Sequence, residues 1–205
     1  MTRIKICGIT NLEDALWAVE QGVDSLGFIL AASPRRVSPE RAKEIVDSLP
    51  PFVNKVGVFV DQELAKVKEI ASYCGLDTVQ LHGSESPEYC QELANLTVVK
   101  AFRIKDRLPL TELKEYSQVV AAYLLDTYVA GQAGGTGETF NWNLAEQAKE
   151  AGPIILAGGL QPENIVSAIR EVAPYGVDVS SGIEKEPGVK DHDKLMELVN
   201  QIRSV

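Results

Sequence analysis

The sequence predicts an α/β protein, a (β/α)8 (TIM) barrel formed as a single domain over residues 1–205. Short β-branched runs alternate with amphipathic stretches of helical spacing along the whole chain. The alternation gives about eight units of roughly 26 residues, which lies in the lower size range of such barrels. A doubly wound open sheet is the competing arrangement of the same elements. Because the alternation continues unbroken to the C-terminus, we favour the barrel.

Each predicted element rests on its own local pattern. The predicted strands are the apolar and β-branched runs at residues 3–6, 25–30, 54–60, 77–81, 97–102, 119–126, 153–157 and 176–180. The predicted helices cover residues 11–22, 38–49, 62–74, 86–96, 111–117, 143–152, 161–173 and 191–202. The fifth helix has the weakest pattern of these.

Helix start signals support these assignments. The segment Thr10-Asn11-Leu12-Glu13 fits a capping box at the start of the first helix. Pro39, Pro87 and Pro162 each stand where a first helical residue is expected, and a glutamate follows each of them. These glutamates suit the positive end of a helix dipole.

Composition and charge exclude several classes of protein. The net charge of -9, with scattered Lys and Arg, argues against a nucleic-acid partner but permits a local site for a small anion. No run has membrane-spanning length and no signal peptide is recognisable, so we expect a cytoplasmic protein that does not contact membranes. Three cysteines without paired spacing argue against disulfides and against a structural metal.

The predicted barrel also says where function should lie, since ligands bind beyond the C-terminal ends of the strands in this architecture. The first strand ends at Cys7, and Lys5 shares its face because side chains alternate along a strand. A nearby cation stabilises a thiolate that can act as base or nucleophile, although a free cysteine is also often a small buried apolar residue. Asp178, which we expect to point inward from the eighth strand, is a candidate partner for Lys5.

Charged and polar residues follow three further strands. Arg35 and Arg36, after the second strand, are suited to a carboxylate or phosphate, and solvated loop charge is the alternative for one of them. His82, at the end of the fourth strand, either lines the site or caps a turn. Asp126 closes the apolar sixth strand, where a carboxylate needs a partner or a task. The glycine-rich stretch 131–137 that follows is either a lid over the substrate or a surface loop.

Two glycine-containing loops follow the seventh and eighth strands. Gly158 and Gly159 precede a helix, and Ser181 and Gly182 follow the eighth strand. Glycine allows a backbone to approach a ligand closely, and N–H groups at helix starts favour anions. Phosphate sites in these barrels commonly lie after strands seven and eight, so the pair of loops predicts a phosphorylated substrate.

The sequence resembles the phosphoribosylanthranilate isomerase family along nearly its whole length. The matching segments are KICGIT with NLEDA, GF in the second strand, SPRRVSPE, VGVFV, QLHG, LLDT, GGTGETFNW, LAGGLQPEN, and GVDVSSGIE with PGVKD. KICGIT near the start and DVSSGIE near the end are the most specific of them.

The resemblance implies an Amadori rearrangement of a small phosphoribosyl substrate, N-(5-phosphoribosyl)anthranilate, without metal or organic cofactor. It implies that Cys7 is the general base, that Asp126 is the general acid, and that Arg35 grips the anthranilate carboxylate. The phosphate would lie on the N–H groups of the Gly158-Gly159 and Ser181-Gly182 loops. Similar sequences often carry lysine at the Glu138 position, so that side chain departs from the family pattern. A monomer and a homodimer are both compatible with the sequence.

Two rival functions stay open at this point. The histidine-pathway isomerase performs the same rearrangement on an aminoimidazole carboxamide ribonucleotide, and resemblance suggests that it uses two aspartates and two related phosphate sites. Here the first strand ends in Cys7, and no second strand-GG loop occurs in the first half. A noncatalytic phosphosugar-binding protein would need the phosphate loops and Arg35, but not an acid and a base on separate strands.

Overall fold

Eight parallel strands form a closed barrel, which confirms the predicted fold class. The computed structural model describes residues 1–104, 108–126 and 142–205, except for the side chains of residues 142 and 143. Neighbouring strands pair in sequence order, and the first strand pairs with the eighth, with Lys5 in register with Asp178. This closing pair excludes the doubly wound open sheet.

The barrel strands lie within one to three residues of their predicted bounds. They are β1 Arg3–Cys7, β2 Ser25–Ile29, β3 Asn54–Phe59, β4 Thr78–Leu81, β5 Thr97–Arg103, β6 Ala122–Asp126, β7 Ile154–Ala157 and β8 Gly176–Val179. After β8 come a 3-10 turn at Ser181–Ile183 and a small antiparallel hairpin of β9 Glu184–Glu186 and β10 Val189–Lys190. The sequence patterns did not predict this hairpin.

A helix follows each barrel strand, directly or after the hairpin. The helices are α1 Leu12–Glu20, α2 Pro39–Asp47, α3 Leu64–Cys74, α4 Pro87–Gln91, α5 Leu110–Glu115, α6 Trp142–Ala148, α7 Pro162–Val172 and α8 His192–Arg203. The uncertain fifth helix is present as a short one, and the fourth is much shorter than predicted. The three prolines stand at first helical positions, as expected.

The predicted capping box at Thr10 is wrong by one residue. Asn11 caps α1 and its side chain accepts a hydrogen bond from the Asp14 N–H. The Thr10 hydroxyl instead donates to the carbonyl oxygen of Gly188, in the turn between β9 and β10. A long-range contact therefore takes the side chain that the local pattern assigned to the helix.

The core has an outer layer and a separate interior cluster. Ile4 and Ile6 are fully buried in the outer cluster between strands and helices, so the alternate residues of β1 point into the barrel. Small apolar side chains fill part of the interior; they are Val99, Ala101, Ala122, Leu124 and Ala157. Lys5 and Asp178 occupy the interior near β1 and β8. The barrel therefore has a polar side directly beneath the end of β1.

Candidate active site

Cys7 and Asp126 end two different strands at the same mouth of the barrel. Cys7 is the last residue of β1 and Asp126 is the last residue of β6. The order β6-β7-β8-β1 around the closed barrel places them three strand steps apart. A ligand over the mouth can therefore have the thiol on one side and the carboxylate on another, as an acid and a base for one substrate require.

The Cys7 thiol lies in a crowded polar environment. Lys5 donates a hydrogen bond of 2.8 Å to Oδ1 of Asp178, so the expected pairing of these two residues is confirmed. A Cβ built on Gly27 would lie 2.9 Å from Sγ of Cys7 and 3.0 Å from Nζ of Lys5. Both side chains thus occupy the space that the missing side chain at Gly27 leaves open.

Burial and neighbouring charges act on the Cys7 pKa in opposite directions. Burial raises the pKa of the Cys7 thiol above its ordinary value, Lys5 and Lys190 lower it, and Asp178 raises it. Burial would lower the pKa of Lys5, but Asp178 and Cys7 outweigh it and hold that pKa above its ordinary value. Lys5 is therefore charged beside the thiol, although burial keeps the thiol more protonated than a free cysteine.

His82 lies beside Asp126 at the barrel mouth. Its Nε2 is 3.3 Å from Oδ2 of Asp126, without the alignment of a hydrogen bond, and both side chains are largely buried. His82 directly follows β4, so β4 and β6 bring the two groups together across the end of β5. His82 therefore lines the mouth at the carboxylate side, one of the two placements that the sequence left open.

Arg35 lies next to the end of β1, where Gly8 makes room for it. A Cβ on Gly8 would lie 2.7 Å from Cδ of Arg35, and the φ of +76° at Gly8 favours glycine. The guanidinium donates to both carboxylate oxygens of Glu184, with Nε at 2.9 Å from each and Nη2 at 2.6 Å from Oε2. Arg36 forms a backbone bridge with Ile29 instead.

The hairpin after β8 supplies two residues next to the site, Glu184 and Lys190, that the strand-end pattern did not predict. Nζ of Lys190 donates to the carbonyl oxygen of Cys7 at 2.6 Å and to Oε1 of Glu184 at 2.8 Å. Both Glu184 and Lys190 stand in the segments that carried the family resemblance, GVDVSSGIE and PGVKD. Their place in those motifs is the sequence feature that could have identified them, but the neighbouring residues in the sequence do not indicate which groups they contact.

The two glycine loops lie against each other. A Cβ on Gly182 would collide with the carbonyl oxygen of Leu160, which follows Gly158-Gly159. The φ angles of Gly158 and Gly159 are +87° and +63°, and the Asn164 side chain donates to the Gly159 carbonyl. The structure therefore brings together the two loops that the sequence paired as a phosphate site.

The Ser181-Gly182 segment begins the 3-10 turn, and α7 begins close to the other loop. Backbone N–H groups at both starts are the kind of donors that hold a phosphate. The glycine-rich stretch 131–137 and Glu138 lie outside the described residues. Within the described ranges no three His, Cys, Asp or Glu side chains are grouped so that they could hold a metal ion.

In the part of the chain that the structure describes, no helix has both the length and the apolar character to cross a bilayer.

Comparisons with known proteins address the family. The family model of N-(5'phosphoribosyl)anthranilate (PRA) isomerase matches residues 4–201. The N-(5'-phosphoribosyl)anthranilate isomerase of Geotalea uraniireducens is 54% identical over 100% of both chains.

Solved structures agree with the sequence relatives. The phosphoribosyl anthranilate isomerase of Thermotoga maritima superposes with a TM-score of 0.91 at 44% identity, over 100% of both chains. A structure of such an isomerase in complex with reduced 1-(o-carboxyphenylamino)-1-deoxyribulose 5-phosphate gives a TM-score of 0.88 at 42% identity, again over 100% of both chains. The resemblance inferred from the motifs is thereby confirmed. This chain belongs to the N-(5'-phosphoribosyl)anthranilate isomerase family, a family of isomerase enzymes.

Proposed function

We propose that this chain catalyses the Amadori rearrangement of N-(5-phosphoribosyl)anthranilate to 1-(2-carboxyphenylamino)-1-deoxyribulose 5-phosphate, with Cys7 as general base and Asp126 as general acid. The observation that carries the proposal is the thiol and the carboxylate at two strand ends of one barrel mouth. A protein that only bound a phosphosugar would have no need of this arrangement. The complex of a family member with the reduced product supports the choice of substrate.

Asp126 has the position of the acid. Opening the ribose ring requires a proton on the ring oxygen as the C1–O bond breaks, and the amine then forms a Schiff base with C1. His82 is the neighbour of Asp126 at the mouth, with Nε2 3.3 Å from Oδ2 of Asp126. This end of the mouth therefore delivers the proton.

Cys7 has the position of the base. Removal of the C2 proton from the Schiff base gives an enolamine, which tautomerises to the ketone. The thiolate form does this work, and Lys5 is the neighbouring charge that favours it most. The product of the two steps is an aminoketose with the same atoms as the substrate, so no external oxidant or reductant is needed.

Two anionic ends of the substrate fix it between these groups. The phosphate fits the loops at Gly158-Gly159 and Ser181-Gly182, which contact each other. The anthranilate carboxylate fits the guanidinium of Arg35, whose stem packs over Gly8 beside Cys7. Holding both ends places the sugar carbons between the strand ends that carry the acid and the base.

The test compares turnover with binding in Cys7→Ala and Asp126→Asn. We expect each substitution to lower kcat by at least about a hundredfold, the range for loss of a general acid or base. Binding of the reduced product, measured by calorimetry, should change little, since neither side chain is assigned to hold its phosphate or carboxylate. Full activity of Cys7→Ala would remove the thiol from the mechanism, and wild-type protein that binds but does not convert the substrate would contradict the proposed function.

A further inference from the structure

Arg35 is paired with a carboxylate of this chain, that of Glu184. Glu184 contacts the Nε and Nη2 edge of the guanidinium, and the side chains of Arg35 and Glu184 are 21% and 4% exposed. Among the residues that the structure describes, none accepts a hydrogen bond from Nη1 of Arg35. A neutral arginine–glutamate pair would attract a substrate carboxylate weakly, so a site for that carboxylate needs a further positive charge.

Lys190 supplies that charge. Its ammonium group is fully buried and 2.8 Å from Oε1 of Glu184, an oxygen that also accepts a hydrogen bond from Nε of Arg35. Burial lowers the pKa of Lys190 below its ordinary value, and the bond to Glu184 opposes that shift. Burial would raise the pKa of Glu184, but the bonds from Arg35 and Lys190 outweigh burial and hold that pKa below its ordinary value, so the carboxylate is ionised. Two cations and one carboxylate leave the cluster with one net positive charge.

Lys190 is held through its backbone N–H at one point and through its side chain at several others. The Lys190 N–H donates to Oδ2 of Asp14 in α1, and Nζ also donates to the carbonyl oxygens of Cys7 and Ser180. The short hairpin thus carries the ammonium group to one point between β1, β8 and the loop after β2. A surface salt bridge would have no such set of partners.

We propose that Lys190 is a positioning residue that offsets the charge of Glu184, so that Arg35, aimed by Glu184, keeps its attraction for the substrate carboxylate. This inference rests on the proposed function, because it takes an anthranilate-type carboxylate as the group that Arg35 binds. Neither Glu184 nor Lys190 is assigned a contact with the reacting carbons. We expect both residues to affect the preference for ligands that carry the carboxylate, through the net charge around Arg35.

The test uses two probes that differ in one group. One probe is reduced 1-(o-carboxyphenylamino)-1-deoxyribulose 5-phosphate, and the other is its phenylamino counterpart without the carboxylate. We expect Lys190→Met to weaken binding of the carboxylate probe by about tenfold. The variant loses one positive charge near the probe's carboxylate, in a site that solvent screens only in part. Binding of the probe without the carboxylate should change less than about threefold, since both probes share the phosphate contacts.

The double variant Glu184→Gln with Lys190→Met separates charge from structure. It returns the cluster to one net positive charge, and the amide oxygen that replaces the carboxylate can still accept a hydrogen bond from Arg35. Charge balance predicts that the double variant regains most of the lost carboxylate affinity. A purely structural role predicts that it binds both probes as poorly as Lys190→Met, or worse, and that result would overturn the proposal.

Matched controls lie on the same hairpin. Lys185→Met and Glu186→Gln remove one exposed charge of each sign and should leave the preference between the two probes unchanged. If Lys190→Met weakened binding of both probes to the same extent, the inference would also be overturned. If the wild-type protein does not convert N-(5-phosphoribosyl)anthranilate, the proposed function fails by itself; if it converts the substrate and the preference does not move, only this inference fails.

Discussion

Two buried lysine–glutamate pairs lie on opposite sides of the barrel, near the C-terminal ends of its strands, and they differ in what else they contact. Lys100 in β5 donates to Glu85 at 3.1 Å and to the carbonyl oxygens of Leu81 and Gly83. Lys190 donates to Glu184 at 2.8 Å, and Glu184 in turn holds Arg35. The chemical groups are the same in both pairs. Only the second pair contacts a residue, Arg35, that we propose binds the substrate.

The Lys100–Glu85 pair serves the loop between β4 and α4. Glu85 accepts hydrogen bonds from the N–H groups of Asp61 and Gly83, so its carboxylate and the Lys100 ammonium are satisfied largely by backbone. Burial of an ion pair is therefore no sign of a functional site by itself. The additional partners of the pair decide whether it acts on the fold or on the ligand.

The largest effect is expected in Lys100→Met. This substitution leaves Glu85 as an uncompensated buried carboxylate, and breaking such a pair costs about 3–5 kcal/mol of unfolding free energy. Urea denaturation measures the loss, while kcat/KM of the folded protein should stay within about threefold at low temperature, since no assigned substrate contact is removed. If kcat/KM fell while stability held, the assignment of this pair to the fold would be wrong.

A smaller effect is expected from Glu184→Gln, about 2 kcal/mol of unfolding free energy near neutral pH, because charged hydrogen bonds to Arg35 and Lys190 are lost. The pKa of Glu184 is held below its ordinary value of 4.5 in the folded protein. Its contribution is therefore complete above pH 4.5 and is lost as the pH falls through the lower folded-state pKa. The difference in unfolding free energy between wild type and variant, measured by urea denaturation, should therefore disappear in acid.

Glu186→Gln is the matched control for this pH dependence, since Glu186 is exposed on the same hairpin. Its unfolding free energy should equal that of the wild type both at neutral pH and in acid. A gap for Glu184→Gln that stayed constant across the pH range would mean that its carboxylate charge is not what stabilises the folded state.

Lys5→Met is expected to raise the pKa of the Cys7 thiol above its value in the wild-type protein. Lys5 is the charge that lowers this pKa most, so removing it should raise the pKa further. The ultraviolet absorbance of the thiolate as a function of pH measures the shift, with Cys7→Ser as the blank for Cys74 and Cys90. Lys100→Met should leave the Cys7 pKa unchanged, and a downward shift in Lys5→Met would contradict the placement of Lys5 beside the thiol.

The smallest effect is expected at Lys185, which has the charge of Lys190 but is exposed on β9. Lys185→Met should change the unfolding free energy by less than about 0.5 kcal/mol, as substitutions at exposed sites usually do. Thermal and urea denaturation beside Lys190→Met give the contrast. A loss as large as that of Lys190→Met would show that burial does not distinguish the two lysines.

The sequence was most informative where the structure is locally periodic. Alternation in β1 placed Lys5 and Cys7 on one face, and barrel closure then brought Asp178 to Lys5. Each of these steps needs only the period of a strand and the parallel order of the barrel.

The contacts of the hairpin were not predictable in the same way. Strands β9 and β10 are too short and too polar to give a strand pattern, and Glu184 lies 149 residues from Arg35 in the chain. The Thr10 capping box failed for the same reason, because Thr10 bonds to Gly188 in that hairpin. Pairings of this kind depend on the folded barrel, and local sequence does not encode them.

In the proposed mechanism, the thiol at the end of β1 takes the proton that the rearrangement must move. Its most direct test is a single-turnover comparison of wild type and Cys7→Ser with freshly made N-(5-phosphoribosyl)anthranilate, with the ribulose product identified by chromatography and mass. We expect rapid conversion by the wild type and a loss of at least about a hundredfold in the variant. Equal rates for the two proteins would contradict it.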